Sequence, residues 1–275
     1  MTSLVYSSHT LDILSPLKTS MPHALLLEGA IGTGLFTIAS ELAGKDVQAV
    51  IKPTDAKGEV DPESGSIKIA QIRELYVQTK GISTKKRFII LDDADTMGLP
   101  AQNAFLKLLE EPTPNTYFIL TAHRPEKLLP TIISRVQRVH VGPISSGQTK
   151  QLITNLGITD VRKVSQLMYV ADGLPAEISR LALNTKQFES KVTYMTDARM
   201  LLQGSMLEKI KVINTYHLKR FEALRLIDAA QTILRRSIDS KPTKDMIKRA
   251  EELADVHDRI KANGNIRLQL LSVVV

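Results

Sequence analysis

A glycine-rich turn near the N-terminus has the spacing of a loop that binds nucleotide phosphates. The working pattern is glycine, four residues, glycine, lysine, then serine or threonine: main-chain N–H groups surround the phosphates, the lysine holds the outer phosphates, and the hydroxyl binds Mg²⁺. Gly29 and Gly34 keep this frame, with Gly32 between them, but Leu35 stands at the lysine position and Phe36 at the hydroxyl position. The loop therefore predicts a degenerate nucleotide site without its charged and metal-binding groups.

Neighbouring residues do not replace the lost groups. Thr37 lies one residue late, which turns its side chain by about 100° around a helix. Lys45 would lie roughly 15 Å further along the same helix axis. An alternative interpretation is a strand-to-helix turn that holds no ligand, since short motifs produce false positives.

Two consecutive carboxylates, Asp92 and Asp93, follow a later apolar run. In a nucleotide hydrolase the first would hold Mg²⁺ through water, and the second would act as the base on the attacking water. Here the second is aspartate, one methylene shorter than the usual glutamate. Both residues are also compatible with capping the next helix, because acids are favourable in a first turn.

Short apolar runs alternate with amphipathic segments around these residues, which predicts an α/β fold with a parallel sheet covered on both faces and ligands at the carboxyl ends of the strands. The β pattern stops after the Pro/Ser/Gly-rich stretch 143–147, and helical patterns follow. We predict an α/β domain over residues 1–142, a small helical lid over 143–188 and a C-terminal helical bundle over 189–275. The predicted strands are 24–27, 48–52, a run ending at 91, 116–122 and 136–141.

Composition limits the function further. The chain has 275 residues, of which 43% are apolar and 24% charged, as in ordinary globular proteins of two or three domains. No run approaches eighteen apolar residues and the first residues lack the layout of a signal peptide, so we expect a cytoplasmic protein without a membrane partner. There is no cysteine, and the six histidines are scattered; we therefore expect no metal site.

The formal charge is +7, and residues 191–275 carry most of it. A basic segment is favourable for binding a polyanion such as nucleic acid. The charges alternate in sign, however, and only 4% of residues are aromatic. A solvated helix face is therefore the other interpretation of this segment.

Several motifs together resemble the clamp-loader branch of the AAA+ ATPases. They are Leu109-Glu110-Glu111-Pro112 at the end of a predicted helix, Ser134-Arg135 at the end of another, and the runs 88–95, 102–112, 118–122 and 128–135. The resemblance covers roughly residues 8–190 and is weaker beyond. It implies an AAA+ RecA-like domain, a helical lid and a C-terminal collar that mediates oligomerisation.

The resemblance also implies partners and a role. Members of this family form a hetero-pentamer that opens a ring-shaped sliding clamp and places it on primed DNA, and some subunits do not hydrolyse ATP. Ser134-Arg135 matches a Ser-Arg-Cys motif whose arginine reaches the ATP of the neighbouring subunit, with Val136 in place of the cysteine. Arg135 is the expected catalytic residue in trans, assisted by Ser134. Its alternative is a surface arginine facing the carbonyl groups at a helix end.

The departures from the family pattern concern the chain's own ATP site. Besides Leu35 and Phe36, Glu177 falls near where active members carry a phosphate-sensing arginine, and Ala122-His123 replaces a pair of threonines. A short polar loop over about 50–66 stands where many members carry a four-cysteine zinc module, so we expect no zinc. We expect a subunit with no cofactor of its own, whose loop binds nucleotide weakly through main-chain N–H groups or not at all, with ATP in its neighbours.

Two other functions remain open from the sequence. The first is a divergent ATPase that recruits a lysine from elsewhere in the chain; an apolar pair beside a nucleotide would leave its charge unmatched and disfavours it. The second is a DNA-binding adaptor based on the basic C-terminal segment, which the scarcity of aromatic residues disfavours.

Overall fold

The computed structural model describes residues 5–62, 64–81 and 83–274. The expectation about a signal peptide therefore falls mostly outside the described residues. The chain divides into two compact units, Met1–Ala182 and Leu183–Val275. The boundary that the sequence predicts between residues 142 and 143 stays a prediction.

Within the described residues, five parallel strands form one sheet in the order β2-β3-β4-β1-β5. The three central strands are buried almost throughout, which explains their continuous apolar sequences. This sheet confirms the predicted fold class. The strands are β1 (Ala24–Glu28), β2 (Val47–Ile51), β3 (Arg87–Leu91), β4 (Thr116–Ala122) and β5 (Gln137–His140).

Helices cover both faces of the sheet and bury a separate core on each. One core contains Leu14 and Ile38 of the first two helices, and the other contains Ile72 and Phe105 of the next two. The helices of this α/β part are α1 (Ser8–Leu17), α2 (Leu35–Ala43), α3 (Ile69–Thr79), α4 (Leu99–Glu110) and α5 (Pro130–Ile133).

Two local expectations need correction. The helix predicted over residues 128–135 is only the four-residue α5, because Pro130 forces the preceding Leu129 into an extended conformation and starts the helix itself. Val77, which fits the apolar face of α3 in sequence, is 70% exposed.

The rest of the chain is helical, as predicted. In the described residues, the first unit continues with three helices. The second unit has breaks at Gly204, 240–242 and 263–265, where glycine, proline and asparagine in the sequence predict them, and a further break at 217–219 that the sequence does not predict. Within the described part of the chain, no helix is both long and apolar enough to cross a membrane. These helices are α6 (Ser146–Asn155), α7 (Val161–Ala171), α8 (Pro175–Leu183), α9 (Thr185–Gln203), α10 (Met206–Tyr216), α11 (Arg220–Ser240), α12 (Lys244–Lys261) and α13 (Ile266–Ser272).

A buried arginine joins the end of α3 to the middle of the sheet. The Arg87 guanidinium donates hydrogen bonds to the carbonyl oxygens of Thr79 and Gly81, at 2.6 and 2.8 Å, and to the Thr116 hydroxyl at 2.7 Å. The side chain thus satisfies oxygen atoms on three segments of the first unit. Arg87 therefore stabilises the fold and does not belong to the predicted site, because it lies at the amino end of β3, away from the carboxyl ends of the strands.

We expect Arg87→Ala to lower the free energy of unfolding by about 3 kcal/mol, because the buried acceptors on Thr79 and Thr116 and the more exposed one on Gly81 lose their donor. Urea denaturation followed by circular dichroism measures this change. Lys85→Ala, at an exposed neighbouring position, is the control and should change stability by less than about 0.5 kcal/mol. Equal denaturation midpoints for the two variants would contradict the assigned role of Arg87.

Candidate nucleotide site and exposed arginine

The carboxyl edge of the sheet brings together the residues that the sequence singles out. Glu28, at the end of β1, pairs in register with Ala122, at the end of β4. Gly29, Asp92 and His123 directly follow β1, β3 and β4, and therefore meet at this edge. The predicted loop and the predicted acidic pair are thus neighbours.

The glycine loop keeps the backbone shape that its sequence predicts. Gly32 and Gly34 have φ angles of 93° and 90°, in the region that favours glycine. A Cβ atom on Gly29 would come within 2.5 Å of the Val141 carbonyl oxygen. The three glycines are therefore required by the turn itself, whether or not a phosphate binds.

The start of α8 packs directly against this loop. The Gly32 carbonyl oxygen accepts hydrogen bonds from the main-chain N–H groups of Ala176 and Glu177, at 2.9 and 3.3 Å. A Cβ atom on Gly32 would lie 2.9 Å from the Glu177 Cβ and 3.3 Å from the Leu174 Cβ. The loop is thus in contact with α8, and the Glu177 carboxylate pairs with Arg180 at 2.8 Å.

The two replaced positions of the loop have different surroundings. Leu35 is 2% exposed and belongs to the core between α2 and the sheet. The Phe36 ring lies beneath the Lys52 ammonium, with 4.1 Å between Nζ and the ring centroid. Lys52 directly follows β2, and its Nζ is 4.0 Å from Asp92 Oδ2. The chain therefore places its own cation between the former hydroxyl position and the first carboxylate.

The acidic pair is partly buried and hydrogen-bonded to β4. The Thr121 hydroxyl donates to Asp92 Oδ1 at 2.8 Å and accepts from the Asp93 N–H at 2.8 Å. Burial raises the pKa of Asp92, against the hydrogen bond from Thr121 and the charge of Lys52. Burial, and then the charge of Asp92, raises the pKa of Asp93.

His123 links the loop to the second carboxylate. Its Nδ1 lies 2.8 Å from the Gly29 carbonyl oxygen, which only accepts, so Nδ1 carries a proton. Its Nε2 lies 3.4 Å from Asp93 Oδ1, and its main-chain N–H donates to Asp95 Oδ1 at 3.2 Å. His123 thus holds together the segments that follow β1, β3 and β4.

These residues do not fit a nucleotide with its metal ion. The lysine position points into the core, the hydroxyl position is a ring covered by Lys52, and the lid helix contacts Gly32. Among the described residues, no cluster of three or more histidine, cysteine or carboxylate side chains is arranged to hold a metal ion.

Arg135 lies on the surface, beyond the short helix α5. Its Nη1 donates to the Thr131 carbonyl oxygen at 3.0 Å and contacts the Ser134 hydroxyl at 3.3 Å. Its Nη2 is 3.0 Å from Glu110 Oε1, at the end of α4. The side chain of Arg135 is 38% exposed, so another molecule can reach its guanidinium.

Sequence reasoning missed two contacts of this region. Lys52 is recognisable only as a lysine directly after a predicted strand, where the carboxyl edge would place it. The contact between Glu110 and Arg135 joins two motifs that the sequence shows separately. The glycines, Asp92 and Asp93 meet as their positions after strands predict.

Sequence comparison and structure comparison both match this chain to DNA polymerase III subunits or to proteins related to them. A family model described as DNA polymerase III, delta subunit, matches residues 45–145. The delta-prime subunit of DNA polymerase III from Bacillus subtilis is 32% identical, over 63% of this chain and 58% of its own. The corresponding subunit from Pseudomonas aeruginosa is 30% identical, over 58% and 55%. The chain thus spans little more than half the length of these relatives.

Replication factor C subunit 3 of Saccharomyces cerevisiae is 32% identical, over 53% of this chain and 43% of its own. Among solved structures, a DNA polymerase III gamma subunit-related protein from Thermotoga maritima matches with a TM-score of 0.57 and 20% identity, covering 96% of this chain and 97% of that one. At this identity, the match supports the fold alone.

The raised pKa of Asp93 makes stability depend on pH. The folded chain binds this proton more tightly than the unfolded chain, so ionisation opposes folding above the ordinary aspartate pKa of about 3.9. We expect Asp93→Asn to have a higher thermal midpoint than the parent at pH 7, and the difference to shrink as the pH falls toward about 4.

Thermal unfolding of both proteins across this pH range measures the effect. Asp46→Asn, at an exposed position, is the matched control and should shift the midpoint little at either pH. A lower midpoint for Asp93→Asn at pH 7 would mean that the contact with His123 outweighs the cost of burial.

Proposed function

We propose that the chain belongs to the clamp-loader branch of the AAA+ family and is a non-hydrolysing subunit of the loader that places a sliding clamp on DNA during replication. It completes a hetero-pentamer with the other loader subunits and donates Arg135 to the ATP site of its neighbour. The observation that carries this role is the contrast between an exposed Arg135 and a loop of the chain's own in which Leu35 is buried in the core and Lys52 lies over Phe36. Its contacts with the sliding clamp and with primed DNA arise through the assembled complex, in the cytoplasm.

Arg135 has the chemistry that the donated role requires. A guanidinium always carries its charge and forms paired hydrogen bonds with phosphate oxygens. In related phosphoryl transfers, an arginine supplied in trans stabilises the charge of the transition state and accelerates the reaction by about 10³ to 10⁵. In the isolated chain, Nη1 contacts the Thr131 carbonyl oxygen and the Ser134 hydroxyl, and Nη2 contacts Glu110, so a phosphate that pairs with the guanidinium replaces one of these contacts.

The chain's own site offers a nucleotide only the main-chain N–H groups of the glycine turn, so we infer weak or no binding of ATP and no Mg²⁺ site. Gly29, Gly32 and Gly34 supply the turn, but no lysine follows it, and Asp92 is balanced by Lys52 and Thr121. No step of hydrolysis is therefore assigned to Asp92 or Asp93 in this subunit.

A divergent ATPase is the second candidate, and Lys52 is the observation that favours it. Its ammonium reaches the edge of the site from a different strand, as a recruited lysine would. Its position over the Phe36 ring, however, corresponds to the hydroxyl and metal side of the loop and not to the side of Leu35.

The isolated protein is expected to hydrolyse ATP no faster than a buffer blank, because its loop lacks the lysine and the hydroxyl. A phosphate-release assay on the purified chain, beside Asp93→Ala and Lys52→Ala, measures this. Robust turnover that both substitutions abolish would establish the divergent ATPase instead.

Arg135→Ala is expected to reduce hydrolysis at the neighbouring site of a reconstituted loader by about 10³-fold or more, because the transition state loses a positive charge. The loader's total rate should fall by the share of that one site. Steady-state ATPase of the complex, with assembly checked by size-exclusion chromatography, is the measurement.

Lys127→Ala removes an exposed positive charge close to the same surface and is the matched control. It should leave both assembly and hydrolysis at the parent level. A parent-level rate in an intact Arg135→Ala complex would reject the donated arginine.

A further inference from the structure

The carboxylate that contacts Arg135 stands at an unfavourable place in its own helix. Glu110 is the last residue of α4, and Glu111 caps it. Carboxylates are destabilising at the C-terminal end of a helix, where the dipole favours cations. Glu110 therefore gains from the guanidinium, whose Nη2 lies 3.0 Å from its Oε1.

The two groups are carried by elements that a buried glutamine holds together. Gln102, in the first turn of α4, donates to the carbonyl oxygens of Met97 and Lys127, at 2.9 and 3.1 Å, and accepts from the Leu129 N–H at 2.7 Å. Lys127 and Leu129 lead directly into α5. The separation of Glu110 and Arg135 is therefore built into the fold of the first unit.

We propose that Glu110 is a latch that holds the Arg135 guanidinium against its own subunit until a phosphate of the neighbouring site displaces it. This inference rests on the proposed function, since it assigns a positioning residue to the donated arginine. In the latched state, the carboxylate balances the charge that the transition state requires. Insertion of Arg135 exchanges the carboxylate for phosphate oxygens, and Glu110 returns to solvent, where its side chain is already 50% exposed.

We expect the ion pair between Glu110 and Arg135 to hold the guanidinium only weakly. An exposed arginine–carboxylate pair contributes little, because water and salt screen both charges. A nucleotide phosphate carries more charge than one carboxylate, so it competes successfully for the guanidinium. Removing the carboxylate charge should therefore accelerate hydrolysis moderately.

The test uses Glu110→Gln in the reconstituted loader, at saturating ATP. We expect kcat to rise by about 1.5- to 5-fold, the rate equivalent of one exposed ion pair. Glu110→Asp keeps the charge and should remain closer to the parent, and Glu111→Gln, which neutralises the neighbouring exposed carboxylate, should leave kcat unchanged. In an Arg135→Ala background, Glu110→Gln should have no effect.

A second measurement needs no partner. In the isolated chain, ¹⁵N NMR should show slower rotation of the Arg135 guanidinium in the parent than in Glu110→Gln. An unchanged or lower kcat for Glu110→Gln, in a complex where Arg135→Ala is impaired, would overturn the latch alone. If Arg135→Ala hydrolyses ATP at the parent rate, the proposed function fails, and equal guanidinium mobility would then reject the latch as well.

Discussion

The hydrogen bonds from the start of α8 to the Gly32 carbonyl oxygen are the contacts on which the site depends. A loop with positive φ angles at Gly32 and Gly34 is stable only where its surroundings hold it. In a working phosphate loop, the ligand supplies part of that support. Here Ala176 and Glu177 supply it from within the chain. Leu35 can therefore point into the core without loss of the turn.

The partly buried carboxylates are likewise compensated by groups of the chain itself. Aspartates at a partly dry sheet edge are costly unless charge and hydrogen bonds compensate them. Lys52 compensates Asp92 together with Thr121, and His123 faces Asp93. The pKa values of both aspartates nevertheless rise, so the compensation is incomplete. The sheet edge therefore carries the two carboxylates that a nucleotide site would have, and the positive charge beside them comes from a side chain of the same chain.

The sequence predicts the parts of this arrangement that depend on local pattern. Buried parallel strands give continuous apolar runs, and Gly29, Asp92 and His123 follow such runs, so their meeting at one edge could be predicted. The sequence also shows that the loop lysine is lost at Leu35 and the loop hydroxyl at Phe36. It does not show that the Lys52 ammonium lies there instead, because the position of a lysine over an aromatic ring depends on the register between β2 and β3. The contact between α4 and Arg135 likewise depends on packing that Gln102 fixes.

If the chain needs no nucleotide of its own, as proposed above, internal contacts alone hold the surface that carries Arg135. In this chain, α8 is tied to the loop by main-chain hydrogen bonds, and Gln102 ties α4 to the segment before α5. On the proposed role, the surface that carries Arg135 is therefore held in the same way at every stage of the neighbour's reaction. On the proposed role, the remaining control over the arginine lies in its immediate contacts, of which the carboxylate of Glu110 carries the opposing charge.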